Sequence, residues 1–565
     1  MIHDELKYRI SNALGHVPTA EQEQAMDVFA RFMTDRREQV VMILRGSAGT
    51  GKTTLAAAIV KSLTDLKQKI ILLAPTGRAA KVFSLYAGHP AYTIHRRIYR
   101  QKSAGDLSAF NLNDNLNRDT LFLVDEASMI ASSSHALPQL GESERVSFGS
   151  GCLLDDLMQF VYNGQNCRLL LIGDRAQLPP VGEEESPALS AAFLRGYGME
   201  VYECDLNQVL RQSESSGILW NATRIRESLE RTSGSLEFRV ESLEFPTGLQ
   251  TGFKPSTDSS TNSRAVANST LYTLNSQLST VHYPLPQVRF QGFTDIRVVP
   301  GDELIESLAS SYSRVGMDET MVITRSNKRA NIYNKGIRNT VLDREEELCR
   351  GDRLMIVKNN YYWSSHLPPS TLHLPPSTLH LPPSTLHLPP STLHLPPSTL
   401  HLPPISFIAN ADCAVVQRVR NIHEMHGFRF AEVTMQFPDY DDYELTAMVI
   451  LDTLTSEAPA LTREQQERLF NAVMEDYADV PLKADRIKKL KNDRYYNALQ
   501  VKFAYAVTCH KAQGGQWSHI YLDQGYMTDD MLTPDYFHWL YTAFTRATEQ
   551  LFLVNWPKSL SAKSY

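Results

Sequence analysis

A glycine-rich stretch at residues 46–54 constrains the fold of this chain more than any other feature. It reads Gly46-Ser47-Ala48-Gly49-Thr50-Gly51-Lys52-Thr53-Thr54. The apolar run 40–44 before it predicts a buried strand, and residues 55–60 after it predict the start of a helix. A strand, a glycine-rich turn and a helix in this order form a phosphate-binding loop, because backbone N–H groups and the positive end of the helix converge on phosphate oxygens. The stretch therefore predicts an α/β fold that binds phosphate.

Two side chains of this loop have predictable chemistry. Lys52 is expected to neutralise the β- and γ-phosphate oxygens of ATP, and the Thr53 hydroxyl is expected to ligate Mg²⁺. The predicted nucleotide-binding residues of the loop are Gly46, Ser47, Ala48, Gly49, Thr50, Gly51, Lys52, Thr53 and Thr54.

Two later apolar runs end in residues suited to phosphate chemistry. The run 121–124 ends in Asp125 and Glu126, and the run 168–173 is followed by Gln177. We expect Asp125 to hold Mg²⁺ through water and Glu126 to orient or deprotonate the attacking water. Gln177 is placed to sense the γ-phosphate, although an idle amide in a proline-stopped loop fits the same residues.

Two stretches have the composition of a nucleic-acid surface. Residues 93–102 interleave cations with aromatic and imidazole rings, which suits phosphates and stacked bases, although a solvated basic helix face fits them equally well. Residues 503–516 predict a helix joined to a polar glycine turn. There Thr508, His510 and Lys511 supply hydroxyl, imidazole and ammonium donors for sugar-phosphate oxygens.

Length and composition bound the class of protein. A chain of 565 residues predicts two to four domains, and 42% hydrophobic with 21% charged residues is typical of a globular protein. No apolar run reaches about 18 residues, so no membrane span is expected. Six scattered cysteines indicate reduced thiols and predict a cytoplasmic location. With a net charge of −7, any basic surface for nucleic acid must be local.

Two segments resemble insertions. Residues 247–292 are rich in Ser, Thr, Asn and Gln, and we expect them to be largely disordered. Residues 367–404 repeat Leu-Pro-Pro-Ser-Thr-Leu-His in tandem. A period of seven suggests a coiled coil, but two prolines in each repeat exclude a helix, since an interior proline costs about 3 kcal/mol. Polyproline II or loose coil is expected instead.

The ordered set of motifs resembles superfamily I DNA helicases, and most closely the RecD/Dda-like 5′→3′ branch. The resemblance covers most of the chain outside the two insertions. It departs at Asn410-Ala411-Asp412, where the family usually has Asn-Gly-Asp. The motifs are residues 46–54, Ala74-Pro75-Thr76-Gly77, Val124-Asp125-Glu126-Ala127, the stretch from Gly173 to Pro180, Leu210-Arg211-Gln212, residues 508–514 and residues 541–546.

The resemblance implies the fold class: α/β, with two RecA-like P-loop domains built on parallel sheets, a small SH3-like β module and disordered insertions. The implied divisions are a helical segment 1–39, lobe one 40–205 with a pin-like insertion at about 96–119, the start of lobe two 206–344, the β module 345–480 and the remainder of lobe two 481–565.

The resemblance also implies roles for single residues. Gln22, which by itself resembles a solvated helix residue, becomes the adenine contact. Arg211 and Arg546 become arginine fingers that reach the γ-phosphate from lobe two. The implied catalytic set is Lys52, Glu126, Gln177, Arg211 and Arg546. The residues implied to grip single-stranded DNA are Thr76, His95, His510 and Lys511, next to Thr508.

The implied function is an ATP-dependent DNA helicase that uses ATP and Mg²⁺, moves 5′→3′ on single-stranded DNA and unwinds tailed duplexes as a monomer. A DNA-stimulated ATPase that translocates without unwinding is the first alternative. A DNA-binding relic disabled by its insertions is the second, and the presence of every catalytic residue named above argues against it.

Overall fold

The computed structural model describes residues 2–103, 106–132, 147–208, 215–241, 287–360, 362–365, 408–528, 531–557 and 560–561. Arg211, the repeat 367–404 and residues 247–286 lie outside this part of the chain. Residues 287–292, which were expected to be disordered, belong to the fold. There Val288 is buried, and its N–H donates to the Leu560 carbonyl at 2.8 Å.

The helices of the described chain begin with two in the first 39 residues. A capping box in which Thr19 and Gln22 exchange side-chain and backbone hydrogen bonds starts the second of these helices. The α-helices are Ile2–Leu14, Ala20–Thr34, Lys52–Asp65, Gly77–Ala87, Ile94–Ile98, Leu153–Tyr162, Ala191–Arg195, Gly217–Glu241, Leu304–Arg314, Asn327–Gly336, Tyr362–Ser365, Arg463–Asp476, Lys483–Lys491, Cys509–Ala512 and Pro534–Phe544. Short 3₁₀ segments are Ala127–Met129, Pro187–Leu189, Pro438–Tyr440 and Leu451–Thr453, and Ile337–Val341 is a π-helix.

The strands of the described chain are, in order, β1 (Val40–Gly46), β2 (Lys69–Ala74), β3 (Ala91–Thr93), β4 (Tyr99–Ser103), β5 (Asp106–Leu112), β6 (Thr120–Val124), β7 (Ser147–Phe148), β8 (Arg168–Gly173), β9 (Glu200–Leu206), β10 (Ile296–Val299), β11 (Thr320–Thr324), β12 (Arg353–Ile356), β13 (Cys413–Met425), β14 (Phe428–Phe437), β15 (Tyr443–Ile450), β16 (Leu499–Phe503), β17 (Ala506–Thr508), β18 (Trp517–Asp523) and β19 (Ala547–Val554).

Lobe one is built on a parallel sheet in the order β3-β2-β6-β8-β1-β9. Its central strands β1, β6 and β8 are buried along their whole length. Near-continuous apolar runs are required there because helices cover both faces of a parallel sheet. The carboxyl ends of β6, β8 and β1 therefore lie side by side.

Lobe two is built on a second parallel sheet, in the order β10-β19-β18-β11-β17. Its strands come from both sides of the β module in the chain, as expected for a lobe that the module interrupts. The prediction of a helix leading into the turn at 508 is wrong. Residues 499–503 and 506–508 are the strands β16 and β17, and only 509–512 are helical. A short apolar run cannot be assigned by periodicity alone, and burial in a sheet decided this one.

The β module is a closed barrel of β12, β13, β14, β15 and β16. Its last strand, 499–503, follows the predicted boundary at 480, because helices 463–476 and 483–491 are inserted between β15 and β16. The predicted fold class of two parallel α/β lobes with a small β module is confirmed.

The predicted pin-like insertion contains the short helix 94–98 and a hairpin of β4 and β5, joined by β7 into a small sheet. Its role as a pin stays a prediction. In the described parts of the chain, no helix combines the length and apolar character that crossing a bilayer requires.

Candidate nucleotide and nucleic-acid sites

The carboxyl ends of neighbouring strands bring the predicted catalytic residues of lobe one together. The phosphate loop follows β1, Asp125 and Glu126 follow β6, and Gln177 follows β8. Because these strands are adjacent and parallel, residues far apart in sequence meet at one edge of the sheet, which is where open α/β sheets bind ligands.

The phosphate loop has the backbone that its glycines predict. Gly49 and Gly51 have φ of +80° and +83°, a region that other residues rarely adopt. The Lys52 Nζ donates to the carbonyls of Gly46 and Ser47 at 2.5 and 2.8 Å, so the ammonium group lies inside the loop. Thr53 is half-buried and Thr54 is exposed on the first turn of the following helix.

The hydrogen-bonding state of the Gln22 side chain is compatible with an adenine contact. Its side chain is 0% exposed, and its Oε1 accepts from the Thr19 N–H in the capping box. The Nε2 atom is buried and has no hydrogen-bond partner in the described chain. A buried N–H₂ group without a partner is costly, and an adenine ring nitrogen would satisfy it.

Asp125 and Glu126 form a partly buried pair of carboxylates. Burial, followed by the charge of Glu126, raises the pKa of Asp125 to about 7, whereas the backbone N–H of Glu126 and the charge of Lys52 lower it. Glu126 itself has φ of +52°, a left-handed conformation that is uncommon for a residue with a side chain. Strain of this kind clusters at functional sites.

A cluster of polar side chains lies where the two lobes meet, and we call it the nucleotide seam: Lys52, Glu126, Gln177 and Arg546. With its amide oriented to satisfy both neighbours, Gln177 donates to Glu126 Oε2 and accepts from Arg546 Nη2, each at 3.2 Å. Arg546 Nη1 lies 3.8 Å from Glu126 Oε1. Arg546 comes from lobe two and is buried, held by the carbonyls of Thr542 and Gly515.

Three residues at the seam were missed by sequence reasoning. The Tyr541 hydroxyl donates to Asp174 Oδ2 at 2.7 Å and accepts from the Ala48 N–H at 2.9 Å, so lobe two touches the phosphate loop. Burial and the Asp174 charge raise the pKa of Tyr541 well above its usual value, which keeps the hydroxyl protonated. Arg226 also reaches this loop. Tyr541 and Asp174 lie inside recognised motifs, but Arg226 has no signal beyond an ordinary helical sequence.

The backbone next to Gln177 is also held by lobe two. The Leu178 N–H donates to Thr542 Oγ1 at 2.8 Å, and the Leu178 carbonyl accepts from Gln513 Nε2 at 2.7 Å. Gln513 belongs to the predicted DNA-contacting turn. Gln513 therefore links that turn to Leu178, the residue after Gln177 in the chain.

Residues 76–77 of lobe one and 508–514 of lobe two are called here the candidate DNA turns, and they adjoin. A Cβ on Gly514 would lie 3.0 Å from Thr76 Oγ1. Thr76 caps helix 77–87, and Thr508 is at the end of β17. His95 lies on helix 94–98 after the edge strand β3, and burial lowers its pKa to about 4.

In the second candidate DNA turn, 508–514, the side chains of His510 and Lys511 have donors that could bind a phosphate. His510 is exposed. The Lys511 Nζ is buried and has no hydrogen-bond partner in the described part of the chain. Burial and the charge of Lys502 lower the pKa of Lys511 to about 8. A desolvated ammonium group of this kind is a strong site for a phosphate oxygen.

The barrel packs against the first candidate DNA turn. A Cβ on Gly77 would lie 2.7 Å from Asp412 Oδ1 and 2.8 Å from the Tyr440 hydroxyl, so a larger residue there would displace these side chains. Tyr440 donates to Asp412, and the Lys81 Nζ donates to the Pro438 carbonyl at 2.6 Å. The module therefore braces lobe one beside Thr76.

The fold and the seam define a P-loop NTPase with two α/β lobes. Two family models match the chain: an AAA domain at residues 31–183 and a UvrD-like helicase C-terminal domain at residues 503–554.

Curated relatives include helicases. The chain is 27% identical over 208 residues to the ATP-dependent DNA helicase dda of Enterobacteria phage T4. The aligned region covers 34% of this chain and 40% of that protein. It is 29% identical over 179 residues to the ATP-dependent RecD2 DNA helicase of Deinococcus radiodurans. This aligned region covers 32% of this chain and 21% of that protein. The match thus spans less than half the length of either relative.

A solved structure of two coordinating Pif1 helicases on forked double-stranded DNA is also similar, with 13% identity, a TM-score of 0.41 and coverage of 97% of this chain and 95% of that one. The family models and the curated relatives confirm the resemblance to superfamily I helicases of the RecD/Dda-like branch.

Proposed function

We propose that this chain is an ATP-dependent DNA helicase that translocates 5′→3′ on single-stranded DNA and unwinds tailed duplexes. The observation that carries the proposal is the nucleotide seam, where Arg546 of lobe two reaches Glu126 and Gln177 beside the phosphate loop of lobe one. A cation from one lobe beside the acid of the other makes hydrolysis depend on how the lobes are arranged, which is the requirement for a motor.

The residues present fit ATP and Mg²⁺. Gln22 would contact adenine, and the loop 46–54 would cradle the phosphates. Thr53 and Asp125 would hold Mg²⁺ together with phosphate oxygens and water, since Mg²⁺ prefers few protein ligands. When bound, the metal neutralises phosphate charge. Glu126 would accept a proton from the attacking water.

The coupling of hydrolysis to DNA would run through the candidate DNA turns. Gln513 holds the Leu178 carbonyl next to the seam residue Gln177, and it lies in the same turn as His510 and Lys511. A phosphate bound at that turn would shift its position, and the shift would reach the seam within a few residues.

The test is ATPase activity of the full chain with and without single-stranded DNA, followed by strand displacement on 5′-tailed and 3′-tailed duplexes. We expect DNA to stimulate ATPase and only the 5′-tailed substrate to be unwound. Lys52→Ala, which removes the phosphate-neutralising cation, is the control and should abolish both activities. Turnover that ignores DNA would refute the proposal, whereas stimulation without unwinding would favour a translocase.

A further inference from the structure

Besides Arg546, which contacts Glu126 and Gln177, lobe two supplies a cation that contacts the phosphate loop itself. Arg226, on helix 217–241, places Nη1 3.0 Å from Ser47 Oγ and 3.3 Å from Asn207 Oδ1. This helix packs against helix 534–544, which carries Tyr541 at its seam end. The position of Arg226 is therefore set by lobe two, while its contact with Ser47 is with lobe one.

The charge of Arg226 is only weakly balanced. The side chain is 13% exposed, and its Nε is buried without a hydrogen-bond partner in the described chain. Its ion pair with Glu230 has an Nε to Oε1 distance of 3.7 Å, and that acid is 60% exposed. A desolvated guanidinium group with one distant, solvated carboxylate has hydrogen-bonding capacity left for another anion.

Two cations contact Ser47. Lys52 donates to the Ser47 carbonyl from inside the loop, and Arg226 donates to the Ser47 hydroxyl from lobe two. The next residue, Ala48, is held by Tyr541, and the charge of Arg226 opposes the rise in the Tyr541 pKa, which indicates that the two side chains are close.

Lys52, which we expect to neutralise the β- and γ-phosphates, and Arg226 both contact Ser47, so phosphates bound in the loop would lie within reach of both cations. We propose that Arg226 contacts the terminal phosphate of ATP, so that lobe two distinguishes ATP from ADP. This inference rests on the proposed function, in that it takes the loop 46–54 to bind ATP. The planar donors of arginine suit two oxygens of one phosphate group, which a lysine cannot match.

The test is equilibrium binding of fluorescent ADP and of a fluorescent, non-hydrolysable ATP analogue to the full chain. Arg226→Gln removes the charge and keeps a polar side chain, and we expect the ATP analogue to bind about tenfold more weakly, the usual worth of a charged hydrogen bond. ADP binding should stay within about twofold because the β-phosphate contacts are unchanged.

The matched control is Arg224→Gln, since Arg224 lies on the same helix, is exposed and pairs with Glu227. It should leave both affinities unchanged. Equal weakening of ADP and the ATP analogue by Arg226→Gln would overturn the proposal, because it would show that Arg226 only supports the loop through Ser47. Arg226→Lys, which retains charge, should recover part of the preference for the ATP analogue, and no recovery would count against a phosphate contact. These affinities are measured without DNA, so a failure of the chain to unwind DNA would refute the proposed function without deciding whether Arg226 contacts the phosphate.

Discussion

The nucleotide seam and the candidate DNA turns differ in how their polar groups are satisfied. In the seam, Gln177 bridges Glu126 and Arg546, and Lys52 is held by loop carbonyls. In the second turn, the Lys511 Nζ is buried without a hydrogen-bond partner in the described residues. The seam is thus positioned by the protein itself, which suits transition-state stabilisation, whereas the turn keeps a donor for a polymer of phosphates.

The largest effect is expected from breaking the seam at Arg546. Arg546→Ala should lower DNA-stimulated ATPase by about 10³-fold, because an arginine finger supplies that range of rate. Steady-state ATPase at saturating DNA measures it. Arg314→Ala, an exposed arginine of lobe two, is the control. Near-normal turnover in Arg546→Ala would show that the seam contact is structural.

The next effect is expected at Glu126. Glu126→Gln keeps the shape and a hydrogen-bonding group toward Gln177, but it removes the base, so ATPase should fall by about 10²-fold or more. Nucleotide affinity, measured by fluorescent ATP binding, should be retained. Glu184→Gln, at an exposed position, is the matched control. If ATP affinity fell by the same factor as ATPase, Glu126 would be assigned to ATP binding and not to the hydrolysis step.

A smaller effect is expected in the pH dependence of single-stranded DNA binding at the second candidate DNA turn. Because the pKa of Lys511 is lowered to about 8, it is charged below pH 8 and loses its proton as the pH rises above that value. Single-stranded DNA affinity at constant salt should therefore fall several-fold from pH 7 to 9. Lys511→Arg stays charged and should flatten the profile.

The control for the pH profile is Lys335→Arg, an exposed lysine of lobe two, which should keep the wild-type dependence. Fluorescence anisotropy of a labelled oligonucleotide measures all three proteins. An unchanged profile in Lys511→Arg would place the titrating group elsewhere.

The smallest effect concerns the barrel that braces the first DNA turn. Ala411 has φ of +72°, at the position where the related family usually has glycine. Ala411→Gly should raise the free energy of unfolding by about 1 kcal/mol, because glycine adopts this conformation without strain. Urea denaturation measures it. Ala409→Gly, two residues away and without a positive φ, should not stabilise the chain. Equal shifts in both would dismiss backbone strain as the cause.

Much of the candidate nucleotide site was predictable because its residues lie in short sequence motifs. Lys52, Asp125 and Glu126 each follow a buried strand, and parallel strands bring such positions to one edge. Arg226 and the contact of Tyr541 with Ala48 were not predictable, since neither residue is near the phosphate loop in sequence. The boundary of the barrel was missed for a similar reason, because β16 follows two helices and only its pairing with β12 and β15 assigns it to the barrel.

The sequence by itself determined the α/β class, the phosphate loop and the lobe-one acids, because strand, turn and helix signals are local. The resemblance to a known family already implied that Arg546 comes from lobe two, and the tertiary structure alone added Tyr541 and Arg226. Arg546, Tyr541 and Arg226 reach residues of lobe one only because elements of the two lobes pack together, and long-range packing of that kind leaves no periodicity in the chain.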